Sequence, residues 1–353
     1  MKISAFPKCF IDDLSVTRTM TIFDWIELSK PLGAEGLEMY EGFFTSLEDG
    51  YIDSIGEAIH NAGYAMPMLC ASPNFTSPDE DERKRSFDHE VDMIRVTRRL
   101  GGPKAACRVL SGQRYPNVSR EQGVEWVVEN FQQLLPIARE YDVVLAMENH
   151  YKDGYWKYPE FAQKMDVFLE IVDAIDDYEY FGVQYDPSNA IVAGDDPIEL
   201  LEKVLPRVKT MHASDRFLLP GATLEDLRQT DGTVGYFDKL QHGITGQGLN
   251  DYDKIFSLLS QSGYQGWVSI EDGIHGMDEM HQSIEFLKKI LAKLFAMTQE
   301  TPHDFMASGA CSRDEPHPKF DVATIMSPAW TFLTKLTSIS SMQCSASSLP
   351  SDR

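Results

Sequence analysis

Four hard metal-ligand side chains stand at the ends of four apolar runs in the second half of this chain. Glu148 closes the run in LAMENH, Asp186 follows the run in VQYDPSNA, His212 lies in KTMHASDR and Glu271 in VSIEDG. Each run reads as a buried strand, and a charged side chain at its end is costly unless paired or bound to a metal. One such glutamate alone is most simply a salt-bridge partner, and a lone histidine a hydrogen-bonded core residue. Four in register on consecutive strands are poorly explained that way, so a metal site is expected. Three carboxylates and one imidazole make an oxygen-rich set with a single borderline nitrogen. That set suits Mn²⁺, Mg²⁺ or Co²⁺, with Mn²⁺ the first expectation and Zn²⁺ still admissible.

Bringing these side chains together requires adjacent, parallel strands. Short apolar runs recur at Lys2–Phe6, Gly36–Met39, Ala65–Cys70, Ala105–Leu110, Val143–Met147, Phe181–Tyr185, Val208–Met211 and Trp267–Ile270. Between them lie stretches with helical periodicity, such as Val124–Tyr141 and Tyr252–Ser262. Strands separated by helices of that length make βα units and a parallel sheet. Eight such units favour an α/β fold with a single closed (β/α)8 TIM barrel over residues 1–296. The rival, an open doubly wound sheet, would carry a Gly-rich phosphate loop after the first strand, and none is present. In a barrel the four strand ends converge on the C-terminal mouth, where such enzymes do their chemistry.

The connection from Phe217 to Gly248, after strand seven, is longer than an ordinary βα loop and contains a short helical piece, TLEDLRQT. Extended loops on this face of a barrel usually cover the active site, and padding of the rim is the plainer alternative. Its end, GQGLNDYDKIF, reads as a tight glycine turn followed by Asn250 or Asp251 capping a helix. Beyond about Ala296 the periodicity stops. Residues 297–353 read as a largely disordered C-terminal extension whose MSPAWTFLTKL stretch could make a short apolar contact.

The whole-chain balance narrows the partners. A net charge of −23 repels a phosphate backbone over most of the surface, which argues against nucleic acid. Five cysteines, odd in number and without a CxxC pair, fit a reducing compartment better than a disulfide framework. The opening MKISAFP has no apolar run behind a basic cluster, so an ordinary secretory leader is not expected. No stretch approaches the roughly 20 apolar residues that span a bilayer. The expectation is a cytoplasmic protein without a membrane partner.

The order Glu, Asp, His, Glu at the ends of strands five to eight resembles the xylose-isomerase-like superfamily, specifically its sugar phosphate isomerase/epimerase branch. The resemblance covers roughly residues 1–296. That branch includes ketose 3-epimerases and inosose-processing enzymes. The resemblance implies a small-molecule carbohydrate substrate, and it carries over to Glu148 and Glu271 the acid/base role of the glutamate pair in the ketose 3-epimerases. Those enzymes have a substrate-binding histidine three residues after the metal aspartate, where this chain has Asn189. An arginine also follows their metal histidine, and Arg216 is a near match set closer to it.

A divalent cation across two neighbouring sugar oxygens lowers the cost of an enediolate. A carboxylate on one face removes the proton next to the carbonyl and a second on the other face returns one, which inverts the carbon. Glu148 and Glu271 are expected on these opposite faces, with Asp186 and His212 as ligands only. The alternative is a lyase, in which the enolate expels a leaving group from the β carbon, as in dehydration of an inosose or cleavage of a 3-keto glycoside. A homo-oligomer is compatible with the branch, and so is a small partner subunit of the kind the C-glycoside-cleaving members use. Type-IV AP endonucleases share the barrel but need a histidine-richer zinc cluster and a basic groove. A non-catalytic barrel should have lost a ligand, and none is missing.

Further residues surround the mouth. His150 and Asn149 follow Glu148 directly, and one of them is expected to reach a substrate hydroxyl. Trp156, in KDGYWKYP, offers a ring to stack on a sugar face, with simple packing as the alternative. Arg108, on strand four, and Arg216 are candidates to hold a carboxylate or phosphate of the substrate. Salt bridges to local acids are the plainer reading, above all for Arg108. Glu38, after strand two, either holds a hydroxyl or orients a neighbour, and Cys70 and Cys107 read as core.

Overall fold

The apolar runs form the strands of one parallel sheet in the computed structural model, which describes residues 1–229 and 237–299. In chain order the elements are β1 (Lys2–Ala5), α1 (Ile11–Ser15), α2 (Ile22–Ser29), β2 (Gly36–Leu37), β3 (Met39–Tyr40), α3 (Asp49–Asn61), β4 (Met68–Cys70), α4 (Glu80–Gly101), β5 (Ala106–Val109) and α5 (Arg120–Tyr141). Then follow β6 (Val144–Glu148), α6 (Met165–Asp173), β7 (Phe181–Tyr185), α7 (Pro187–Ala193), α8 (Pro197–Val204), β8 (Val208–Ala213), β9 (Asp215–Leu218), α9 (Leu224–Gln229), β10 (Leu240–Gly243), α10 (Tyr252–Gln261), β11 (Trp267–Ile270) and α11 (Met277–Gln299). Three short 3₁₀ turns flank these elements at Lys8–Phe10, Lys30–Leu32 and Glu41–Phe43, and a fourth at Leu205–Arg207 leads into β8.

The sheet runs β2-β1-β11-β8-β7-β6-β5-β4-β3. Its two outer members, β2 and β3, are halves of one stretch broken at Glu38 alone, so the ring closes and the barrel has eight staves. Glu38 still donates its backbone N–H to Ala5 O at 3.0 Å, which keeps the broken stave against β1. The third expected strand is shorter than the sequence suggests. It starts at Met68, and Ala65 makes only a single bridge to Gly36. The seventh is longer, reaching Ala213 and so carrying His212 inside the ladder.

The helices sit outside for reasons visible in their sequences. In α5, Ser119 caps the start by accepting from Gln122 N, and the buried residues Val127, Phe131, Leu134 and Ala138 recur at helical spacing. Phe131 packs edge-on against Phe181 of β7 and Phe75, with ring centroids 5.0 and 6.4 Å away. Burying such a side chain contributes about 1.5–3 kcal/mol. Asp142 ends the helix in a left-handed conformation, a role more often taken by glycine.

After strand seven the chain makes an antiparallel hairpin, β9 with β10, around α9. Residues 230–236 of this insertion lie outside the described residues. Its return is tied down by Asp215, whose carboxylate accepts from the backbone N–H groups of Gly246, Gly248 and Asn250 at 2.9–3.2 Å. Asp251 is the helix cap, accepting from Lys254 N at 3.0 Å, while the Asn250 amide bonds Ser214 O. The last helix continues past Ala296 to Gln299. The C-terminal extension, including MSPAWTFLTKL, lies outside the described residues. Among those described, no helix is long and apolar enough to cross a membrane.

Candidate metal centre and substrate cavity

The barrel brings the four side chains to one point. Glu148 is the last residue of β6, Asp186 follows β7 as the cap of α7, His212 is the penultimate residue of β8 and Glu271 follows β11. One ligand atom from each lies within 4.8 Å of all the others. Glu148, Asp186 and His212 are fully buried, and Glu271 is 7% exposed. His212 Nδ1 faces Glu148 Oε1 at 3.4 Å, Glu271 Oε2 at 3.6 Å and Asp186 Oδ2 at 4.0 Å.

Each ligand is held by a partner. Glu38 Oε2 lies 2.9 Å from His212 Nε2, and both residues are buried. With a cation bound, that contact would keep a ring proton on Nε2 and turn Nδ1 to the ion, the usual carboxylate–histidine–metal arrangement. Arg108 Nη1 donates to Glu148 Oε2 at 2.9 Å and Asn189 Nδ2 donates to Glu148 Oε1 at 3.1 Å. Lys8 Nζ donates to Glu271 Oε1 at 3.0 Å. Asp186 accepts from Ser188 N at 2.7 Å and Asn189 N at 3.0 Å, with Ser214 Oγ 3.0 Å from both of its oxygens.

Electrostatics sort the carboxylates. Burial pushes Asp186 up to about 6, and the charges of Glu271 and Glu148 add to the effect. Burial also opposes ionisation of Glu148, but the positive charges of Arg108 and His212 outweigh it and hold that carboxyl well below its ordinary range. Glu271 is held low in the same way by Lys8 and His212. Three buried carboxylates at this separation repel strongly, and a divalent cation is the charge that removes the repulsion. The donor set, three oxygens and one nitrogen converging from buried side chains, fits a hard or borderline divalent ion.

Beside this centre is a cavity of about 250 Å³ whose wall includes Glu271, Lys8, Arg108, His150, Tyr40 and Tyr155. His150 is therefore on the wall as expected. Its Nδ1 has no hydrogen-bond partner and lies 3.9 Å from Glu160 Oε2. Burial pulls the imidazole down to about 4 despite the nearby Glu148, so it is neutral at pH 7. Asn149 is taken up in bonds to the Asp186 backbone, at 2.7 and 2.9 Å.

The remaining sequence candidates divide. Arg108 lines the cavity, but its guanidinium is engaged by Glu148, Ala71 O and Ser72 Oγ. Asn189 is bonded to Glu148 and so sits behind the ligand. Trp156 is half-buried and is not among the lining residues; the tyrosines of that loop on the wall are Tyr151 and Tyr155. Arg216, on β9, is 4% exposed with its guanidinium 5.4 Å from the centroid of the Tyr151 ring. Cys70 groups with Glu38 and His212, and Cys107 donates to Glu90 at 3.2 Å.

Lys8, Tyr40 and Asp153 were not singled out by the sequence reading. Lys8 stands three residues beyond the end of β1, and the strand-end rule that found the four ligands applies to it equally. Asp153 accepts from Tyr40 Oη at 3.2 Å and Ser72 Oγ at 2.8 Å, contacts between distant loops that no local pattern encodes.

A closed parallel barrel with three carboxylates and an imidazole meeting at the carboxyl ends of its strands defines an α/β barrel with a candidate metal site. The profile of the xylose isomerase-like TIM barrel family matches residues 26–290, and the chain belongs to that family. Inosose dehydratase of Bacillus thuringiensis is 24% identical over 158 residues, 42% of this chain and 47% of that protein. The chain thus spans about half the length of the curated relatives it matches. A D-tagatose 3-epimerase-like protein superposes with a TM-score of 0.64 at 20% identity, covering 84% of this chain and all of the other. A xylose isomerase-like barrel from Mycobacterium smegmatis, solved in complex with magnesium, gives 0.61 at 17% identity, covering 84% and 97%. At these identities the structural likeness speaks for the fold.

Proposed function

We propose that the protein is a divalent-metal-dependent sugar isomerase or epimerase that removes a proton next to a carbonyl. The observation that carries this reading is the convergence of Glu148, Asp186, His212 and Glu271 within 4.8 Å, with Glu271 also on the wall of the cavity. We assign Mn²⁺ as the first choice of cation, and Mg²⁺ fits the same donors; bound there, the ion would polarise the carbonyl and spread the enediolate charge. Glu271 reaches the cavity and is the group that takes the first proton. Lys8 fixes Glu271 Oε1 and so aims Oε2. Glu148, held on one side by Arg108 and on the other by Asn189, is its counterpart across the centre. Asp186 and His212 hold position.

The second reading is a lyase. Lys8 favours it, because an ammonium on the cavity wall is a proton donor for a departing hydroxyl, and the Bacillus relatives named as inosose dehydratases point the same way. Both readings are tested by incubating the Mn²⁺-loaded protein in D₂O with ketoses, inososes and 3-keto glucosides and following the mixture by NMR. Deuterium should enter at one carbon, and Glu271→Gln should slow its entry by about 10²–10⁴-fold. An epimer as product supports the isomerase; an unsaturated product with loss of water supports the lyase. Exchange that persists unchanged in Glu271→Gln would refute the proton-transfer role.

A further inference from the structure

His150 and Glu160 are two buried side chains that the proton transfer assigned to Glu271 and Glu148 leaves unused. Glu160 is fully buried, and it locks the loop that supplies Tyr151, Lys152, Asp153, Gly154 and Tyr155 to the cavity wall. Its backbone N–H donates to Tyr151 O at 2.9 Å, which closes the neck of that loop. Its Oε1 accepts from Ser111 N at 2.7 Å and from Ser111 Oγ at 2.5 Å, just beyond the end of β5. Glu160 Oε2 has no hydrogen-bond partner among the described residues. Across from it, 3.9 Å away, stands His150 Nδ1, which has none either.

Counting protons fixes which of the two atoms donates. Both Ser111 donors go to Oε1, so Oε1 is the unprotonated oxygen of the carboxyl and an acid proton lies on Oε2, the oxygen that faces His150. Burial raises the Glu160 carboxyl to about 8 against the pull of the Ser111 donors. The imidazole is pulled down to about 4 by burial, so at pH 7 the pair is uncharged with the proton on the acid. A buried O–H and a buried ring nitrogen without partners are each costly, and one hydrogen bond between them removes both penalties. The separation exceeds hydrogen-bond length by about 1 Å, and contacts within a catalytic group commonly tighten when substrate binds. Nδ1 then accepts, which puts the imidazole proton on Nε2. His150 lines the cavity with its ring stacked on Tyr151 at 5.0 Å, so with Nδ1 turned to Glu160 the nitrogen left for the cavity is Nε2.

We propose that Glu160 is a positioning residue that, as a neutral acid, donates from Oε2 to His150 Nδ1, and that His150 thereby presents Nε2–H to a substrate oxygen as a hydrogen-bond donor. The proposal rests on the metal-centred reading and adds two residues to the machinery of that reaction. As Glu271 takes the first proton, charge builds on the substrate oxygens. A neutral imidazole N–H aimed at one of them stabilises that charge without a proton leaving the ring. An imidazolium in the same place would repel the cation, whereas the neutral ring does not.

The test compares the full chain as wild type, Glu160→Met and Glu160→Gln. Glu160→Met fills the same space without a donor and should lower the kcat for deuterium exchange about tenfold or more, with KM little changed. An amide at this position reproduces the neutral acid, because its oxygen accepts from Ser111 and its NH₂ donates to Nδ1. Glu160→Gln should therefore recover all but about threefold of that loss. The tautomer is read by long-range ¹H–¹⁵N correlation NMR on ¹⁵N-histidine-labelled, Mg²⁺-loaded protein, with the His150 signals assigned by their loss in His150→Phe. A protonated Nε2 and a bare Nδ1, in the wild type and in Glu160→Gln, support the pair. A proton on Nδ1 in the wild type, or a Glu160→Gln chain as impaired as Glu160→Met, marks an ionised Glu160 and overturns it. Circular dichroism melts identify a Glu160→Met chain that fails to fold, and the wild-type and Glu160→Gln tautomers then decide alone. No exchange with any ketose, inosose or 3-keto glucoside overturns the metal-centred reading, while the Glu160–His150 pair is still decided by the NMR.

Discussion

Glu38 is not one of the four converging side chains, yet its loss should be felt as weaker metal binding. Its Oε2 is 2.9 Å from His212 Nε2, with both side chains fully buried, and its Oε1 has no hydrogen-bond partner. In Glu38→Gln an amide oxygen still accepts from the imidazole, but the charge is gone. A hydrogen bond to a charged group contributes about 1.5–3 kcal/mol and a neutral one about 0.5–1.5. The difference, about 1–2 kcal/mol, corresponds to a roughly 5–30-fold rise in Kd, overlapping the range of about 10–100-fold typical of such supporting partners. Titration of apo protein with Mn²⁺, followed by electron paramagnetic resonance, measures it. Glu38→Ala should do worse, because it leaves a buried N–H unanswered. A Kd within twofold of the wild type in Glu38→Gln would show that His212 is not oriented by Glu38 and that the assignment of Nδ1 as the coordinating nitrogen is unsupported.

Metal removal should be visible in stability. A ligand at about 1,000 times its Kd adds about 4 kcal/mol, and at about 2–4 °C per kcal/mol for a domain of this size EDTA should lower Tm by roughly 10 °C; an unchanged melt would count against a resident cation. Glu90, buried beside the Cys107 thiol, should give the protein a pH-dependent weakness. Burial raises its carboxyl to about 8, so the folded state keeps a proton that the unfolded chain releases above about 4.5. Its contribution is therefore most favourable below about 4.5 and is lost as pH rises to 8, by about 3–5 kcal/mol. Glu90→Gln should gain on the wild type in urea denaturation at pH 8 but not at pH 5, and parallel pH profiles would refute this; Glu160, also buried and raised to about 8, leaves a residual slope in both. Gly248→Ala should cost about 1–3 kcal/mol, since a Cβ there would overlap the Arg216 carbonyl and the Asp215 carboxylate.

The barrel and the meeting of the four side chains were legible because both depend on rules of short range. Alternation of apolar runs with helical periodicity sets the βα order, and a parallel ring carries each strand end to the same mouth whatever the side chains are. Glu148, Asp186, His212 and Glu271 could be named from the residue at the end of each run alone. The broken stave at Glu38 was not legible, because it leaves no mark in composition: Leu37, Glu38 and Met39 read as the end of an ordinary strand. Only the hydrogen bond that Glu38 accepts from His212, across 174 residues of sequence, gives the break a purpose.

The side chains around the ligands show where such reading stops. Arg108 and Arg216 look alike in sequence, each an arginine near the end of an apolar run, and the plainer expectation for both was a salt bridge. The fold separates them by register. Arg108 on β5 stands opposite Ala146 on β6, two residues before Glu148, so its guanidinium reaches that carboxylate. Arg216 lies beyond β8 on the hairpin, opposite His242, where the ladder offers it another base rather than an acid. Asn189 makes the same point from the other side. By its distance from Asp186 it fell at a substrate-binding position, but one turn into α7 its amide points back to Glu148 at 3.1 Å. An asparagine there trades a substrate contact for a second hold on the ligand carboxylate. Asn189→His should therefore disturb Glu148 before it creates any new sugar contact, and a Mn²⁺ titration that shows weaker binding, with no gain in ketose affinity, would establish that order of effects. Ketose affinity rising with Mn²⁺ affinity unchanged would instead return position 189 to the substrate side of the centre.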